Sequence, residues 1–205
     1  MYGDKLIRAI FVHLGYVLVS VSIGFAVALV LGCLLSRFRR QARFILPVLS
    51  VFQTVPGIVF IGILFLYMGM VPATVITALS VYAVFPVLKN TFVGISEVSP
   101  AYLEAAKGSG MSALQALVQV ELPIAMPTIV GGLRMSTVYT VSWTVITAMI
   151  GLGGLGEFIY IGVNTNNNTL ILAGALPSAL IALVFGLGLD KLQKILQARA
   201  LGGGI

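Results

Sequence analysis

Residues 104–123 read EAAKGSGMSALQALVQVELP, a segment in which polar residues interrupt an otherwise strongly apolar chain. Its spacing is specific: Glu104-Ala105-Ala106, three residues, Gly110, nine residues, the aliphatic Val120, one residue more, then Leu122-Pro123. Local chemistry reads it, with the residues just before it, as two short helices joined by glycines. Ser99 suits an N-cap, with Pro100 at the first helical position, where a missing N–H costs nothing. Ala101 to Lys107 are good helix formers, and Gly108 with Gly110 supplies a break. Ser112 and Gln115 stand at capping-box spacing and start a second helix. That helix carries Leu114, Leu117 and Val118 on one face and is predicted to stop before Pro123. Such an elbow is a compact knob suited to a groove in another protein. The other reading is an amphipathic connector lying on a membrane surface. In the first reading Glu104 faces a basic partner, and Ala105 and Ala106 permit close approach. Gly110 then either adopts positive φ or leaves room for the partner's backbone.

The blocks on either side set the class. Of 205 residues 59% are hydrophobic and 9% charged, and mean hydropathy is +1.09, whereas a soluble domain carries roughly 25% charged residues. The expectation is an all-α membrane protein of one domain, about 13–191. Five apolar stretches, at about 14–35, 44–70, 71–88, 124–150 and 169–189, are each near the length that crosses a bilayer core of about 30 Å. The elbow occupies 97–123, between the third and fourth. Pro47 and Pro56 fall inside the second stretch. Gln53, Thr54 and Pro56 are read there as a kinked, pore-facing segment, because Pro56 frees a backbone carbonyl and the polar pair needs partners. Ala28 and Gly32 have the small-xxx-small spacing of packed membrane helices.

Basic residues orient the chain. With the Arg37, Arg39, Arg40, Arg43 cluster in the cytoplasm, Lys89, Lys107, Lys191, Lys194 and Arg199 also fall inside, nine of the twelve basic residues. The N-terminus is therefore predicted outside and the C-terminus cytoplasmic. This placement accounts for the net charge of +6 without invoking nucleic acid. The first apolar run exceeds a leader's core and is followed by arginines rather than a cleavage site, so it reads as an anchor.

Other stretches extend the pattern: Gln53-Thr54-Val55-Pro56, the run Val84-Phe85-Pro86-Val87-Leu88-Lys89-Asn90-Thr91, Arg134-Met135-Ser136-Thr137, Ile150-Gly151-Leu152-Gly153-Gly154-Leu155-Gly156, and Gly174-Ala175-Leu176-Pro177. With the 104–123 spacing they resemble the permease subunits of type I ABC importers for osmoprotectants, over about His13 to Lys191. The resemblance implies a pore made with a second permease copy or a paralogue, in a bacterial cell membrane. It implies cytoplasmic ATPases docked on the coupling loop through Glu104, Ala105, Ala106, Gly110, Leu122 and Pro123. It implies an extracytoplasmic binding protein that delivers glycine betaine, carnitine or choline and carries the aromatic cage for the ammonium. A related zwitterion such as ergothioneine is the alternative cargo. ATP and magnesium would belong to the partner ATPase, leaving this chain no cofactor of its own.

Catalytic readings find little to stand on. Gly151-Leu152-Gly153-Gly154-Leu155-Gly156 has dinucleotide-fingerprint spacing but lacks the acid about 20 residues on, and is read as an external gating turn. No phosphate-binding G-x-x-x-x-G-K-[ST] run occurs. One histidine, His13, placed at the outer end of the first crossing, and one cysteine, Cys33, provide no metal set. The six acids, Asp4, Glu97, Glu104, Glu121, Glu157 and Asp190, are placed at or beyond the ends of crossings, which argues against an ion-coupled carrier with midplane carboxylates. Trp143 is read as packing. Arg134, inside the fourth crossing, is read as a brace for the coupling loop or as a snorkelling side chain.

Overall fold

Backbone groups at bilayer depth have no water to bond, so apolar crossings close their hydrogen bonds within a helix. The computed structural model describes residues 2–200, most of which are helical, with no strand among the described residues. The helices are α1 (Tyr2–Arg37), α2 (Arg39–Phe52), α3 (Gly57–Met68), α4 (Pro72–Ser96), α5 (Pro100–Gly108), α6 (Ala113–Ala116), α7 (Leu122–Thr144), α8 (Leu155–Asn164) and α9 (Asn168–Ala200). Four continuous helical stretches are long and apolar enough to cross a membrane: Gly3–Arg37, Pro72–Ser96, Ala113–Thr147 and Asn168–Arg199.

The second of the five predicted crossings is not a single helix. The stretch expected as one span at 44–70 is a pair, α2 and α3, bent by 89°. Pro47 sits within α2 without breaking it, but Pro56 has no N–H to extend α2 and disfavours helical backbone at Val55. The chain leaves the helix at Gln53 and restarts with Pro56 as the N-cap of α3. The Phe52 carbonyl that Pro56 would have left free accepts the Val55 N–H at 3.1 Å. α1 also begins well before residue 14. His13 therefore lies within the helix, fully buried, instead of at its outer end.

α4 is the centre of the bundle, packed along α1 on one side and α7 on the other, with α9 against α7 and α8 against α9. Small residues allow the close approach. A Cβ on Gly24 would fall 2.7 Å from that of Ala83, and one on Gly32 2.6 Å from that of Thr91. The partner of the Ala28/Gly32 spacing is thus α4. Ala28, Val87 and Leu88 form one cluster at this seam, and Ile95, Ala125 and Ile129 form another between α4 and α7. Buried hydroxyls on α7 are satisfied by carbonyls: Ser136 donates to Ala83 on α4 at 2.8 Å, and Thr140 to Ser136 at 2.8 Å. In contrast, Leu176, Leu180, Leu183 and Leu187 along α9 are exposed, as lipid-facing positions are.

The glycine run turns the chain between α7 and α8. Gly151, Gly153 and Gly154 have φ of 78°, 78° and 90°, and Tyr16 donates its hydroxyl to the Leu152 carbonyl at 3.1 Å, tying the turn to α1. Asn167 then starts α9, its Oδ1 accepting the N–H groups of Thr169 and Leu170 at 3.1 and 3.3 Å.

Candidate functional site

The 97–123 elbow is built from local rules. Ser99 stands at the N-cap of α5 with Pro100 at N1, though its side chain makes no capping bond. α5 ends in two bonds, Met111 N–H to the Ala106 carbonyl at 3.1 Å and Gly110 N–H to that of Lys107 at 2.9 Å, the pair that defines a Schellman ending. Gly110 carries the left-handed residue, φ 77°. A Cβ there would meet nothing within 4 Å, so within this chain glycine serves the backbone conformation rather than crowding. The capping box forms, with Gln115 N–H donating to Ser112 Oγ at 3.3 Å and Ser112 N–H to Gln115 Oε1 at 2.8 Å.

The second arm does not stop before Pro123, as its sequence predicted. α6 runs through a π-helical turn, Leu117–Glu121, straight into α7, with Pro123 in the first turn of α7. The proline removes one N–H and its ring presses on the carbonyl four residues back, and a wider turn absorbs both. The consequence is mechanical. A push on the elbow's second arm is a push on a crossing helix.

The predicted docking residues divide. Glu104, Ala105 and Pro123 are exposed, but Ala106 is only 3% exposed, so of the two alanines only Ala105 faces outward. Leu122 joins Leu117 against Ile95, Ala125 and Ile129 and belongs to the chain's own core. The apolar face predicted from Leu114, Leu117 and Val118 therefore splits. Leu117 turns in, while Leu114 and Val118, with Tyr102 on α5, are 69%, 54% and 55% exposed.

Sequence reasoning missed the clamp on this elbow. Arg37, at the end of α1, donates to Glu121 in the π-helical turn at 2.8 Å, with side-chain exposures of 41% and 4%. Spacing gives no signal for a pair separated by 84 positions. Arg134 pairs with Asp190, and Lys194 with the same carboxylate at 2.8 Å. Arg134 thus ties α7 to α9 and does not reach the coupling loop.

Gln53, Thr54 and Pro56 sit at the α2–α3 bend. Thr54 is exposed and donates to the Val51 carbonyl at 2.7 Å, and Pro56 is exposed. Gln53 alone of the three lines a cavity of about 200 Å³, with Leu79 and Tyr82 of α4 and Tyr139, Thr140 and Trp143 of α7. Gln53 Nε2 donates to the Tyr82 carbonyl at 3.4 Å, and the Tyr82 hydroxyl to that of Val55 at 2.8 Å. Tyr82 stacks on Trp143 with centroids 4.4 Å apart, and Phe52 and Phe60 join it at 6.0 and 5.5 Å. The aromatic side chains are clustered in space although dispersed in sequence.

Over residues 6–202 the chain matches the family described as binding-protein-dependent transport system inner membrane component. The chain belongs to that family. The permease is 38% identical over 199 residues to the carnitine transport permease protein OpuCB of Listeria monocytogenes, covering 97% of this chain and 91% of that one. It is 40% identical over 172 residues to the glycine betaine/carnitine/choline transport system permease protein OpuCD of Bacillus subtilis, covering 83% and 75%. Its fold is similar to that of the inward-facing MetNI methionine ABC transporter, with a TM-score of 0.84 at 19% identity over 94% of this chain and 96% of that one. The permease is accordingly a multi-pass protein of the bacterial cell membrane, with the type I ABC importer fold, and a transporter's membrane component rather than its catalytic subunit.

Proposed function

We propose that this permease forms, with a second copy or a paralogue, the translocation path of an ATP-driven importer for a quaternary-amine osmoprotectant: glycine betaine, carnitine or choline. An extracytoplasmic binding protein hands the cargo over. Cytoplasmic ATPases grip the 97–123 elbow and keep ATP and magnesium to themselves. The likeness to a carnitine permease along 97% of the chain carries this reading. Two features support it. The elbow exposes Glu104, Tyr102, Leu114 and Val118, a mixed apolar and acidic knob of the kind that seats in a groove. Its second arm is continuous with α7, so closure of two ATPases would move the crossing helices. The nine clustered basic residues put this elbow and the C-terminus in the cytoplasm and the N-terminus outside.

The test is co-purification with the ATPase, using Gly110→Asp as control. Asp adopts positive φ less readily than glycine and adds charge to the knob. Stoichiometric capture lost in the variant, with binding-protein-dependent uptake of glycine betaine, is the expected result. Capture of no ATPase would overturn the coupling role. Uptake of another zwitterion in its place would move the cargo and leave the importer standing.

A further inference from the structure

The cavity at the α2–α3 bend has the composition of a small cation site. Tyr82 lies ten residues from the start of α4 and fourteen from its end, about 15 and 21 Å at 1.5 Å per residue, so the cavity stands inside the membrane, in the half nearer the start of α4 and the end of α7. Of its six lining residues only Leu79 is wholly apolar. Three are aromatic, and a quaternary ammonium is attracted to aromatic faces within about 6 Å, tryptophan most strongly. Tyr82 and Trp143 hold each other in place by stacking. Tyr139 is in none of the ring pairs among the described residues, and it is 49% exposed, which leaves its ring for an incoming ligand. A half-exposed phenol at this depth belongs beside water or protein rather than hydrocarbon. Gln53 uses one N–H on the Tyr82 carbonyl, so its second N–H remains for a carboxylate. No acid lines the cavity. Attraction then comes from ring faces and one amide, without an ion pair, which suits a site that must also let go.

We propose that this cavity is a transit site for a quaternary ammonium within the membrane, Tyr139 and Trp143 meeting the cationic head and Gln53 the carboxylate of a betaine. This rests on the quaternary-amine reading above. It places cation recognition on the permease as well as on the delivering protein.

Trp143 is the only tryptophan in the chain, so emission from the full chain in liposomes reports this cavity alone. The probes are tetramethylammonium, choline and glycine betaine, with 3,3-dimethylbutanol as the neutral isostere of choline. A saturable change is expected with the three ammonium compounds, at least tenfold weaker with the neutral alcohol. Tyr139→Leu, at unchanged melting temperature, should raise the midpoint about three- to thirtyfold, the range that one cation–π contact supports. Gln53→Leu should weaken glycine betaine more than tetramethylammonium, a split that general unfolding cannot produce. No saturable response, an equal response to the neutral alcohol, or an unmoved midpoint in Tyr139→Leu overturns the site. Quaternary-amine uptake by the wild-type importer without a Trp143 response removes the transit site and leaves the proposed function. A response at Trp143 without such uptake keeps the site and removes the proposed cargo.

Discussion

Arg37→Ala should loosen the joint between α1 and the elbow, by an amount the Glu121 environment determines. The Glu121 side chain is 4% exposed and receives the Arg37 guanidinium at 2.8 Å. Removing one partner of a fully buried pair costs about 3–5 kcal/mol, because the other charge is left without compensation. Here the arginine side chain is 41% exposed, so part of the interaction is already screened, and about 2 kcal/mol is the expected loss. For a chain of this size that corresponds to a fall of roughly 4–8 °C in melting temperature. Glu121→Gln removes the charge that needs a partner and should cost about 1 kcal/mol. Combining it with Arg37→Ala should cost less than the sum of the two, by about 1 kcal/mol. Arg39, Arg40 and Arg43 remain to hold the orientation. Cys33, the only cysteine, packs against the Ile95, Ala125 and Ile129 cluster, so a fluorogenic maleimide in detergent reads unfolding at the joint itself. Strict additivity, or a smaller shift for Arg37→Ala than for Glu121→Gln, would refute the clamp.

Gly57→Ala would drive a Cβ into the Trp143 ring at Cζ3 and Cε3, so that the indole or the start of α3 must shift. A loss of about 1–3 kcal/mol is expected from overpacking, with a shifted Trp143 emission, and unchanged emission and melting would count against the packing described. Gly110→Ala should cost about 1 kcal/mol through its left-handed backbone alone, since the Cβ meets open space. A loss above about 3 kcal/mol in the isolated permease would mean that the elbow packs elsewhere. Arg134→Leu leaves Asp190 with Lys194, so melting should barely fall, because water screens the pair. A much larger fall would show that the α7–α9 tie is the stronger joint.

The elbow was legible residue by residue, because the Ser112–Gln115 box, the Gly110 turn and the Ser99-Pro100 start act over a few positions. The same local reasoning misjudged Pro123. A proline ends a helix only where the chain is free to turn away, and here the core cluster around Leu122, Ile95 and Ala125 holds α6 and α7 in line, so a π-helical turn takes up the strain. Pro56 has no such support and does end its helix, while Pro47 does not. Type of residue marked where strain would arise, and packing decided how it was relieved.

Composition by itself determined that this chain lives in a membrane as helices, since unpaired backbone is untenable in hydrocarbon and 59% of the residues are hydrophobic. The 104–123 spacing determined the elbow. Only the tertiary structure could join Arg37 to Glu121, 84 positions apart, and Arg134 to Asp190, 56 apart. It alone could gather Phe52, Phe60, Tyr82 and Trp143 into one cluster beside Gln53. Pairing between helices depends on which faces meet, and a crossing that is apolar all round carries no stripe to announce its facing side.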